Sequence, residues 1–65
     1  MATKLREVRE SKGMTQSELS KLSGVHRVNI SKYEAGKSMF TLPVAERLAA
    51  ALGVTVDELI RKGEG

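Results

Sequence analysis

An all-α bundle of five short helices is the fold class this sequence predicts, on three observations. Glycines punctuate the chain at helix-length intervals, threonine-led caps stand where new segments would begin, and apolar residues recur at spacings of three and four with no strand-like alternation. The 65 residues make one domain, expected to span 1–65. A domain of this size hides only about 60% of its unfolded surface, so a large active-site cavity is not expected.

Thr3 is positioned to cap a first helix over about residues 4–12, with Leu5 and Val8 inward and Gly13 as its stop. Thr15-Gln16-Ser17-Glu18 has the spacing of a capping box and starts a second helix, 16–22, with Leu19 and Leu22 as its apolar edge. Gly24 then permits a tight or left-handed backbone before a third helix that begins near His26 and ends before Gly36. Residues 37–40 form a loop, in which Met39 and Phe40 either cover the core or meet another subunit. Thr41 leads a fourth helix that tolerates Pro43 in its first turn, and Leu42, Ala45, Leu48, Ala49 and Leu52 repeat as a core-facing stripe up to Gly53. A second capping box, Thr55-Val56-Asp57-Glu58, opens a last helix that carries Leu59 and Ile60 and closes with Arg61 and Lys62.

Charge is unevenly spread. The net charge is +3, but residues 1–37 hold eight Lys/Arg against four acids, and the remainder holds three against four. A basic half on a small domain implies an anionic partner, of which nucleic acid is the commonest. There is no cysteine, so neither disulfides nor thiolate metal sites are expected. The charged start, MATKLREVRE, and a longest apolar run of only Leu48 to Leu52 point to a soluble cytosolic protein without membrane contact.

Residues 16–22 and 26–34, joined across a glycine turn, have the proportions of a helix-turn-helix. At about 100° per residue, Val28 lies roughly opposite Ile30, so a β-branched residue stands beside Arg27, Ser31 and Lys32 on an outward face. That combination suits a DNA major groove, where arginine can grip guanine and an apolar group can meet a thymine methyl. The chain's GMTQSELSKLSGVHRVNISKYEAGKS and LAAALGVTVDELI closely resemble the Cro/CI-type (XRE) helix-turn-helix regulators, over about residues 4–61. Ser20 departs from the alanine usual at its motif position, and Ala35 replaces a polar residue often found there.

The resemblance implies a λ-repressor-like fold and double-stranded DNA as partner, without a cofactor. It makes Gln16 a phosphate ligand that also braces the third helix, or else a plain first-turn residue. Arg27 is the first base-reading position, or touches only phosphate, and Val28 is a base contact unless the neighbouring helix buries it. Ser31 and Lys32 reach bases or backbone. Lys37 is expected on phosphate or solvated, Tyr33 to combine a core ring with an outward hydroxyl or to serve the core alone, His26 to be a cap-region or phosphate-facing residue, and Asn29 to reach a phosphate or nothing at all. Arg9 and Glu34 resemble the family's internal ion pair. A homodimer on an inverted repeat is expected to meet through the last two helices near Leu42, Val54, Val56, Leu59 and Ile60.

An enzyme is a poor fit, because His26 and Asp57 are the only residues of their kinds and no nucleotide-binding glycine loop appears. The competing reading is a module that also binds protein, as an antitoxin or a restriction-modification controller does.

Overall fold

Three of the five helices of this protein start directly after a threonine cap residue. The computed structural model describes residues 3–60, which fold as α1 (Leu5–Ser11), α2 (Gln16–Ser23), α3 (Arg27–Glu34), α4 (Leu42–Leu52) and α5 (Val56–Leu59). Both capping boxes are present. Thr15 Oγ1 accepts from the Glu18 amide at 3.1 Å while the Thr15 amide donates to Glu18 Oε1 at 2.9 Å. Thr55 and Glu58 repeat the arrangement at the head of α5. Thr41 caps α4 with extended backbone only, its hydroxyl making no cap bond. Pro43 costs nothing there, since first-turn amides have no helical acceptor.

At the other end of the chain the cap residue of α1 is Lys4, not Thr3. Thr3 Oγ1 still accepts from the Leu5 amide at 3.4 Å, while Thr3 pairs with Ile60 in an isolated antiparallel bridge and the Lys4 amide donates to the Leu59 carbonyl at 2.9 Å. This short extended contact ties the start of α1 to the end of α5. Ile60 is therefore extended, at φ −107° and ψ 131°, and not helical as expected. Arg61 and Lys62 lie outside the described residues.

Every helix contributes to one apolar core: Leu5 from α1, Leu19 from α2, Ile30 from α3, Leu48 and Leu52 from α4, and Leu59 from α5. Val25 in the α2–α3 turn and Phe40 in the loop before α4 complete it.

Three further expectations, all about burial, are corrected. Leu22 is 63% exposed, and Ser23 is buried in its place. Along α2, Ser23 lies about 40° from Leu19 and Leu22 about 60° to the other side; the small residue is the one that faces the turn, where Ser23 Oγ accepts from the Val25 amide at 3.1 Å. Leu42 is 62% exposed because it opens α4, and Phe40, two residues upstream, is the side chain buried at that end; Met39 is exposed too. Leu59, expected in a subunit contact, is fully buried within the monomer. A side chain already enclosed by its own core has no surface to offer a partner.

Candidate nucleic-acid interface

α3 is anchored by little of its own length. Ile30 is its one buried residue, and Tyr33, half-buried, sets its ring edge-on to Phe40 at 5.4 Å between centroids and 88° between planes. Five of its residues turn outward, so Arg27, Val28, Asn29, Ser31 and Lys32 are all exposed, Val28 by 50%. Among the alternatives open for Val28, burial by the neighbouring helix is ruled out by that exposure.

The two ends of α3 fix what its middle does not. At the start, His26 Nδ1 accepts from the Val28 amide at 3.1 Å, which satisfies one of the free first-turn donors. Beyond the C-terminal end, Gly36 adopts a left-handed φ of 79°. Its amide donates to the Tyr33 carbonyl at 3.2 Å and that of Lys37 to the Lys32 carbonyl at 2.9 Å, the paired bonds of a Schellman motif. A residue with a Cβ is strained at that φ. Gly36 therefore sets where Lys37 leaves the helix.

A polar clamp joins the last residue of α3 to α1 and α2. Arg9 grips Glu34 with two parallel bonds, Nε to Oε2 at 2.6 Å and Nη2 to Oε1 at 3.0 Å, and Nη1 donates to the Met14 carbonyl at 2.7 Å. Gln16 Nε2 adds a third donor to Glu34 Oε1 at 3.0 Å. The side chains of Arg9 and Glu34 are only 10% and 5% exposed. Hydrogen bonding to Glu34 holds the Arg9 guanidinium above its ordinary pKa, against the opposing effect of burial, with the charges of Glu34 and Glu10 adding to the rise. A raised value keeps arginine's share of the clamp complete below its unfolded-state pKa, and the share is lost only in strong alkali. One carboxylate thus ties α1, the first residue of α2 and the end of α3 together.

These contacts bring Gln16, Ser31 and the clamp around a cleft of about 280 Å³, lined also by Arg6 and Ala35. In the sequence Arg6 is one of the eight cations of the basic half and belongs to no motif; it precedes Arg9 by three residues and so shares its face of α1. His26, Arg27, Val28, Lys32 and Lys37 belong to the outer surface of α3 and its ends. Leu42, Val54, Val56 and Ile60 belong to α4, α5 and their flanks. Cations, amide and hydroxyl groups and one apolar side chain on a rigid helix can meet phosphates and base edges. No group of acidic, histidine or cysteine side chains able to hold a metal occurs among the described residues, and no helix among them is long and apolar enough to cross a membrane.

The comparisons with known proteins agree with this geometry. A family model described as helix-turn-helix matches residues 5–59. An uncharacterised HTH-type transcriptional regulator of Archaeoglobus fulgidus is 39% identical over 59 residues, which are 91% of this chain and 84% of that protein. Among solved structures, the restriction-modification controller protein C.AhdI from Aeromonas hydrophila superposes with a TM-score of 0.83 at 37% identity, over 88% of this chain and 86% of its own. Other relatives are longer. One from Sulfolobus acidocaldarius is 44% identical over 57 residues, and the chain spans 14–18% of the length of three such archaeal HTH-type regulatory proteins. With the family pattern running from the first residue of α1 to the last of α5, this chain belongs to the XRE-type helix-turn-helix family of DNA-binding transcriptional regulators.

Proposed function

We propose that the chain acts as a single domain that represses transcription, binding an inverted-repeat operator as a homodimer with α3 of each subunit in the major groove. The observation that carries this reading is the outward face of α3, where Arg27, Val28, Ser31 and Lys32 stand exposed on a helix whose end is clamped by Arg9, Glu34 and Gln16. Arg27 reads guanine through its two-pronged donor set, and Val28 meets a thymine methyl. Gln16, His26, Asn29, Tyr33 and Lys37 hold the flanking phosphates, which fixes register without carrying sequence information.

One such domain spans too few base pairs for specificity, and a two-fold pair matches half-sites about 34 Å apart. The exposed Leu42 and the half-buried Val54, Val56 and Ile60 supply the apolar contact between subunits, Leu59 having no surface to give. Repression follows from occupancy, because a dimer on an operator blocks polymerase.

A second reading, a restriction-modification controller, draws on the likeness to C.AhdI; it keeps the DNA chemistry and changes the genes controlled. An antitoxin would add a protein partner to the same fold. Selection from a random duplex pool tests the proposal. It should return an inverted repeat occupied by two chains, and Leu42→Asp should weaken the full site far more than a half-site. Recovery of no motif, or one chain per palindrome at saturation, would refute it.

A further inference from the structure

We infer that Arg6 is a DNA-phosphate ligand, and that the cleft between α1, the first residue of α2 and the outer face of α3 seats that phosphate; the inference rests on the DNA-binding reading above. Gln16 and Ser31, two of the cleft's linings, belong to the proposed contact face, so the cleft opens toward the duplex. Its two guanidiniums are in opposite situations. Arg9 is committed by three hydrogen bonds to Glu34 and Met14 and is nearly buried. Arg6 is 68% exposed and makes one side-chain bond, Nε to Glu10 Oε2 at 3.1 Å.

An exposed pair four residues apart on a helix is weakly held, since both partners are well solvated. Glu10 is not stranded when Arg6 turns away, because the same Oε2 lies 3.9 Å from Arg9 Nη2. The Glu34 charge is already matched by Arg9, which leaves Arg6 as the cation in the cleft free to change partners. Exchanging a solvated carboxylate for a backbone phosphate gives the guanidinium an acceptor that matches its paired donors, and it releases a counterion from the duplex. Arg6 thereby extends the backbone contacts from the helix-turn-helix onto α1.

The test is salt-dependent binding of the full chain to its selected operator and to an unrelated duplex. Arg6→Gln should weaken both on the order of ten-fold per half-site and lower the slope of log K against log salt by roughly 0.9 per subunit, with an unchanged melt. Glu10→Gln, which releases Arg6, should bind at least as tightly as wild type with the full slope. Lys21→Gln makes the same charge change at the far end of α2 and should leave the slope at the wild-type value. Arg6→Gln indistinguishable from wild type, or matched by Lys21→Gln, overturns the inference while DNA binding by wild type stands. A wild-type chain that binds no duplex overturns the DNA reading and this inference with it.

Discussion

α3 and α4 are made from the same alphabet and held by opposite means. α4 buries Ala45, Leu48, Ala49 and Leu52 in an eleven-residue stripe, whereas α3 buries Ile30 alone in eight residues. A helix with four residues in the core is oriented by packing along its length, and such packing is close and directional. With one, rotation about its axis and tilt are left to its ends. The His26 cap, the Gly36 turn and the Arg9–Glu34–Gln16 clamp do at the ends of α3 what apolar contact does along α4. What α3 gains is a free face: the residues not spent on the core remain available to a ligand.

The comparison breaks most severely at the clamp. Arg9→Ala leaves Glu34 nearly buried with only Gln16 as donor, and removing one side of a buried pair costs about 3–5 kcal/mol, a large part of the stability of a small domain. Arg9→Ala/Glu34→Ala should recover part of that loss in a denaturant melt, because no charge is then stranded. Simple addition of the two single losses would mean that the clamp does not couple α1 to α3.

A smaller effect separates the α2–α3 turn from the core. Gly24 has φ 77° with nothing within 4 Å of the place a Cβ would take, so Gly24→Ala should cost about 1–2 kcal/mol from backbone strain alone. Gly24→Asn, which tolerates the left-handed region better, should cost less. Equal melts for the two variants would locate the cost in packing and not in the dihedral.

Much of this was legible in the sequence because caps and stops act locally. Thr15, Thr55, Gly36 and Gly53 announce their boundaries through chemistry within a few residues, and Val28 betrayed its exposure by its phase against Ile30. The failures occurred where the deciding contact is distant. Leu22 and Ser23 are equally good by spacing, and the close α2–α3 turn chooses the smaller. Leu42 keeps the phase of the α4 stripe but stands at its end, where Phe40 has filled the core. Ile60 continues a helical pattern until the bridge to Thr3, 57 positions away in the chain, extends it. Arg6 gave no signal of its own, because its cleft exists only once α1, α2 and α3 are assembled.

The smallest effect on stability carries the most direct test. Val28→Ala and Lys37→Ala should both fold as wild type does, within about 0.5 kcal/mol, since both residues are exposed, and then fail differently on DNA. Lys37→Ala should weaken all duplexes alike and lower the salt slope by roughly 0.9 per subunit. Val28→Ala should keep the slope and lose up to about 1 kcal/mol of preference for thymine at one position of each half-site. A Val28→Ala chain that melts early while its base preference stays intact would contradict the account: α3 would then be held along its length as α4 is, and its outward face would not be the reading surface.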